Sequence, residues 1–298
     1  MSVLSQFFSQ GSRLVHADVV AVGGGGGGSQ NHGGGAGLFC YKSNVIFIAG
    51  KKYNIIIGGG GNGGSSVSSA GNDTIIESVI TSYGGSQSSS LLSTFSNIPT
   101  LYTKGSLGGG PISYSSLNTG NLPEGGWNTK VMKPDEIVMY EIGGTSDNSS
   151  GGGGAFDRGY PSGSFQNTTG GPGGDGAPLS FIGYPSDYVA GGGGGGLAAS
   201  PSTSIGGIGG LGGGGNGAIG PGSANNAGSP GTTGTGGGGG GGGSTFSAGI
   251  GGNGGSGTVI IRYPTEFSAA TVTGNTPTPA QSGYHVYRWN GTGTITFN

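Results

Sequence analysis

Charge is scarce in this sequence. Lys, Arg, Asp and Glu together make up 7% of its 298 residues, where about a quarter is usual. The ten basic and twelve acidic residues leave a net charge of -2. The basic residues are scattered, so nothing supplies the positive stripe that nucleic-acid binding needs, and nucleic acid is excluded as a partner. Cysteine is nearly absent. The single Cys40 rules out an intrachain disulfide, and in Leu38-Phe39-Cys40-Tyr41 it reads as a buried strand residue. No apolar run approaches the length of a membrane-spanning helix. The first fifteen residues, MSVLSQFFSQGSRLV, lack the basic and apolar regions of a signal peptide. The chain is therefore expected to be made in a cytoplasm and, if it works outside, to leave by another route.

Reactive constellations are missing as well. His16, His32 and His285 are far apart, and no HxxxH or CxxC spacing occurs, so no metal site is expected. GxGxxG matches abound, but glycine abundance alone produces them and none is followed by a helical period. No Gly-x-Ser-x-Gly match has strand-then-helix context. Asp135-Glu136 has no apolar setting of the kind that glycoside hydrolysis requires. The expectation is a protein that is not an enzyme and takes no cofactor.

Glycine is what the chain has instead, at 80 residues. A run such as 236–243 has no side chains to bury and loses more backbone entropy on ordering than any other sequence. Collagen shows how it could still be ordered: extended left-handed helices with three residues per turn pack closely where glycine removes the side chain. Pure glycine can do this on every side, pairing its N–H and C=O groups between helices in a polyglycine II lattice. At roughly 3.1 Å per residue, eight residues span about 25 Å.

The tracts alternate with β-branched and aromatic segments that read as strands. Strands are expected at 18–22, 38–42, 44–49, 53–57, 136–140, 258–263, 270–273, 284–289 and 293–297. DTIIESVIT (73–81) fits a strand or a short helix by periodicity, and its Ile, Val and Thr content favours strand. The fold class is all-β: a β-sandwich or jelly-roll-like body with a polyglycine II bundle formed by the glycine-rich connections. The organisation follows from composition. Residues 1–16 form an N-terminal arm, 17–83 strands with the first glycine tracts, 84–142 an inserted decoration, 143–257 the main glycine bundle, and 258–298 the strands that complete the body. Segments 18–22 and 258–263 are expected in one sheet, with 293–297 nearby, and the tracts at 191–196, 206–217 and 236–243 side by side.

VVAVGGGGGG, KKYNIIIGGGGNGG, AGGGGGGLA and GGNGGSGTVIIRYP, followed by SGYHVYRWNGTGTITF, together resemble the glycine-rich domain of bacteriophage virion and tail-fibre proteins. The resemblance covers roughly 17–83 and 190–298; the arm and the insertion depart from it. Related glycine-rich modules include receptor-binding adhesins at the tips of some long tail fibres and the extracellular domain of anaplastic lymphoma kinase receptors. The resemblance implies a virion location and other virion subunits as partners. It leaves three functions open: a tail-fibre or adhesin-type appendage contacting a host surface receptor, a non-adhesive capsid-decoration or tail-connector protein, or an ice-binding bundle. Irregular tracts without flat Thr or Ala faces argue against the third. For the appendage, Tyr160, Phe165, Tyr184 and Tyr188 are the host-contact candidates at the tips of the tracts, and Leu4, Phe7 and Phe8 the virion-docking candidates in the arm. A glycine bundle can form within one chain or between three, so a homotrimer is among the expected assemblies.

Overall fold

The computed structural model describes residues 13–88, 93–94, 106, 108, 112–113, 129–133, 136–140, 149–162, 169–197, 205–218, 227–243 and 249–298. In chain order the strands begin with β1 (Leu14–Val22), β2 (Phe39–Ile48), β3 (Lys52–Ile56), β4 (Thr74–Ile76) and β5 (Ile80–Ser82). Next come a small parallel pair, β6 (Ser93–Thr94) and β7 (Ile112–Ser113), and the hairpin β8 (Thr129–Lys133) and β9 (Glu136–Tyr140). The remainder are β10 (Ala177–Pro178), β11 (Tyr188–Val189), β12 (Thr258–Pro264), β13 (Thr271–Thr273), β14 (Tyr284–Trp289) and β15 (Gly293–Thr296). Among the described residues the sole helical turn is the 3-10 turn Ser180–Ile182.

Two antiparallel sheets build the body. One has the order β14-β12-β1-β2-β9-β8 and the other β13-β15-β3-β4-β5. Alternation decides which side chains meet between them. From the first sheet come Val15, Ala17, Val19, Ala21, Phe47, Val259, Ile261, Tyr263 and Trp289; from the second, Tyr53, Ile55, Ile76, Ile80 and Ile295, joined by Phe297. The rings of Phe47 and Phe297 stack at 4.6 Å, with Tyr53 edge-on to Phe47 at 4.9 Å. Trp289 keeps its Nε1–H satisfied by donating to the Thr273 carbonyl at 2.9 Å. The fold is all-β and a sandwich, as composition implied.

Three local readings change. The two strands expected at 38–42 and 44–49 are one, because a bulge absorbs the interruption: Ser43 and Asn44 together oppose Asp18, and Asn44 takes φ of 55°. DTIIESVIT is a tight hairpin of β4 and β5, turning through Ser78 at φ 62°. Segments 18–22 and 258–263 do pair, Val20 opposite Ile260. The C-terminal strand instead pairs with β3 in the facing sheet, where Phe297 closes the core.

The glycine tracts form the second half of the molecule, and their hydrogen bonds repeat every third residue. Gly23 and Gly26 donate to Leu38 and Gly35; Gly24 and Gly27 to Asn72 and Ser69; Gly25 and Gly28 to Gly255 and Gly252. A threefold rotation of bonding direction is what a helix of three residues per turn produces. No glycine in 23–28, 191–196 or 237–243 has positive φ, which agrees with the left-handed extended form.

Sorted by these bonds, the segments stack in five layers. The first holds 157–161, 170–176 and 205–211; the second 149–154, 191–196 and 212–218; the third 33–37, 236–243 and 227–232; the fourth 84–88, 23–29 and 250–257; the fifth 69–72 and 58–64. The tract 236–243 donates to segments at 191–194, 26–29 and 229, and accepts from 252–255, 215–218 and 31–34. It is thus enclosed on six sides in a hexagonal arrangement, and all its residues are buried. The uninterrupted tracts 23–28 and 191–196 are enclosed in the same way. The lattice closes within one chain.

Candidate functional site

β1 runs from Leu14 at one end of the sandwich to Val22, then continues directly as the tract 23–29. The connection between β3 and β4 does likewise: 58–64 climbs the bundle, the chain turns at 65–68, and 69–72 returns. At the far end lie the turn at 29–32 with Asn31 at φ 66°, the turn at 65–68, and the adjoining pairs His32 with Ser150, Ser150 with Pro161, and Thr169 with Ile205. His32 is buried there, with Nδ1 2.9 Å from the Ser150 hydroxyl. At roughly 3.3 Å per strand residue and 3.1 Å per tract residue, about 50 Å separates Leu14 from this distal pole. Lateral bonding of every tract to its neighbours makes the separation rigid.

The reversals near the sandwich form the bundle's base. Gly212 and Gly213, with φ of 95° and 93°, make one of them, in a conformation open to glycine at little cost. Another is a cap at 177–190 that covers part of the outer face of the larger sheet. Its Leu179, Ile182 and Val189 pack with Ala155 and Ala177 on Val20, Val22, Phe39 and Ile260. Arg288 on β14 fastens this base. Its Nη2 donates to the Gly234 carbonyl at 2.9 Å, and its Nη1 approaches Asp187 at 3.5 Å.

The four aromatic contact candidates separate between the poles. Tyr160 stands exposed one helical turn from the distal end, under the Arg158 guanidinium at 5.5 Å. Phe165 lies outside the described residues; Ser162 and Thr169, the described residues on either side of it, are at the distal end. Tyr184 and Tyr188 sit in the base cap instead, far from the tips. Tyr184 is 5% exposed and belongs to the second apolar cluster, so the expectation of a tip contact there does not hold. Burial raises its phenol pKa, and Asp187 adds to the rise against an opposing effect of Arg288. Tyr188 is exposed, but beside the sandwich. The arm candidates Leu4, Phe7 and Phe8 lie outside the described residues; Arg13, where the description begins, is at the pole opposite the tips.

Sequence reasoning missed a second surface. Ile205, Ile208 and Leu211, in Ile-Gly-Gly-Ile-Gly-Gly-Leu, are 58%, 70% and 55% exposed. The signal was in the spacing: one side chain every third residue on a three-residue helix keeps all of them on one face. Thr169, Pro172 and Asp175 repeat this in the neighbouring segment, as do Ile250, Asn253 and Ser256 on another side. Triplets of this kind mark surface helices, whereas unbroken glycine marks enclosed ones. Among the described residues no group of three or more His, Cys, Asp or Glu side chains could hold a metal ion.

A family model described as a glycine-rich domain matches residues 5–264. The match takes in the bundle and β1 to β12, and stops before β13, β14 and β15. No curated protein matches the chain.

Proposed function

The chain belongs to the glycine-rich domain family, and we propose on that footing that it is a non-enzymatic bacteriophage virion protein, an appendage of the tail-fibre or adhesin type. The observation that carries this reading is the polarity of the molecule. Arg13 enters β1 at one pole, and the turns 29–32 and 65–68 together with the segment ends at Ser162, Thr169 and Ile205 lie at the other. A backbone-bonded bundle is indifferent to the sequence of its distal loops, so these can change without altering the lattice that displays them. Tyr160 and Phe165 are the host-contact residues, since aromatic side chains offer a large contact area at low entropic cost. Leu4, Phe7 and Phe8 are the residues that dock on other virion subunits, because an apolar arm needs a partner to cover it.

Deleting residues 1–12 should abolish incorporation into particles while the protein still folds. Replacing Tyr160 and Phe165 by Ser should leave assembly intact and remove adsorption to host cells. Replacing Tyr188, which is equally exposed but at the base, should do neither. If the Tyr160 and Phe165 variants adsorb as well as the parent, the adhesin reading fails, and a capsid-decoration or tail-connector role takes its place.

A further inference from the structure

We infer that the outer face of the first glycine layer is a self-association surface, and that its occupant is the same face of a second copy of this chain. The face is three helices wide. Tyr160 N–H donates to the Pro172 carbonyl and Gly173 N–H to the Ile208 carbonyl, so Tyr160, Pro172 and Ile208 stand side by side in one transverse row. Ile205 and Leu211 extend the apolar surface one helical turn above and below Ile208. Every helix of this layer is bonded to the layer beneath or to its flanking neighbours, so the side chains project from a fixed plane.

Two features select the occupant. First, side chains three residues apart stand about 9 Å apart along the helix, with bare glycine between them. A rigid surface with that pitch interlocks along its length with a surface of the same pitch, and a two-fold related copy supplies one; such a contact is isologous and closes at the dimer. Second, the opposite face of the bundle is built differently. Its exposed side chains, Asn62, Ser69, Ala70 and Asn72, are small or polar along the segments, and Val67, 52% exposed, stands singly in the turn at their distal end rather than in a row. One apolar face against one polar face fits a pair and does not fit an extended stack.

The size of the patch sets the strength. Tyr160, Pro172, Ile205, Ile208 and Leu211 together present on the order of 500 Å² of apolar surface, at the upper end of what monomers expose. That is below the roughly 800 Å² per partner of a standard interface. A reversible dimer in the micromolar to millimolar range is expected, with Arg158 and Asp157 at its rim.

Sedimentation velocity on the full chain from 1 μM to 1 mM tests this. The parent should move from monomer to dimer as concentration rises. Ile208→Asp should weaken association by about 100-fold, because it puts an unpaired charge in the contact, and Ile208→Ser should weaken it less. Asn62→Asp, on the opposite face, should associate like the parent. All three should melt with the parent, since these side chains project outward from the lattice while their backbone bonds are kept. A parent that stays monomeric throughout, or an Ile208→Asp protein that associates as strongly as the parent, overturns the inference. Tyr160 belongs to both surfaces and Ile208 to this one alone, so adsorption of the Ile208→Asp protein separates the two readings: association lost with adsorption kept leaves the attachment reading standing, and a monomeric parent that still adsorbs overturns only the inference made here.

Discussion

The sandwich and the glycine bundle solve the same packing problem with opposite materials. In the sandwich, Trp289, Tyr263, Phe47 and Phe297 fill the space between two sheets, and backbone pairing is confined to the plane of each sheet. In the bundle the backbone itself fills the interior. Gly239 donates to Gly26 and accepts from Gly34, and neighbouring residues of the same tract bond in other directions. Side chains stabilise one half and would destroy the other. The comparison teaches that a buried core needs close packing and satisfied polar groups, and that neither requirement specifies large residues.

The most direct way to break this comparison is to put a side chain into the lattice. A Cβ at Gly240 would stand 2.0 Å from the Asn216 carbonyl oxygen, and one at Gly194 would stand 2.0 Å from that of Gly207. Gly240→Val or Gly194→Val must therefore push neighbouring helices apart and break several backbone bonds, at a cost of several kcal/mol, roughly 4 or more. Chemical denaturation should register the loss; an unchanged midpoint would mean that the helices are not locked together.

Removing a side chain from the sandwich should hurt next most. Phe297 is fully buried against Phe47, Tyr53 and Tyr263. Phe297→Ala should cost about 3–4 kcal/mol through lost burial and the cavity left behind, measured by the same denaturation.

Alkali sharpens the comparison, because the two cores differ in titratable groups. Burial holds the Tyr263 phenol well above its ordinary value of 10.0, and the neighbouring Tyr287 adds to the rise. A group favoured in its protonated form by folding contributes stability that is complete below the unfolded pKa and is lost as pH rises through the folded one. Stability should therefore hold up to about pH 10 and decline above it. Tyr263→Phe should flatten that decline, read from melting temperature against pH.

The smallest effect is expected where the bundle already carries side chains. Ile208→Ser, at a surface position of a triplet helix, should alter stability by less than about 0.5 kcal/mol. A larger loss in the monomer would mean that Ile208 supports the lattice, against the distinction between enclosed and surface helices.

Local sequence determined a good deal. β-branched and aromatic segments carried their strands because they suit a pleated, half-buried surface, and unbroken glycine tracts carried the bundle because they can pack closely on all sides. The pairing of 18–22 with 258–263 was legible from the strength of both strands. The hairpin within 73–81 was not, since its turn rests on Ser78 at positive φ, a conformation with no marker in the residue type. Nor was the burial of Tyr184 separable from a tip position: an aromatic residue in a glycine-rich connection packs in the core more often than not, and nothing local to Tyr184 distinguishes it from Tyr160.

Tertiary structure decided what lay beyond local preference. A glycine helix has the same backbone in the middle of a lattice as at its edge, so composition could predict the bundle without giving the order of its layers. That order comes from the direction in which each tract leaves the sandwich and from which neighbours its N–H groups meet. The same arrangement sent Tyr160 toward the tips and Tyr184 to the base, although only 24 positions separate them. It also gathered Tyr160, Pro172 and Ile208 from three segments into one face. Residue type fixed how each segment could pack; the path of the chain through the lattice fixed where each side chain emerged.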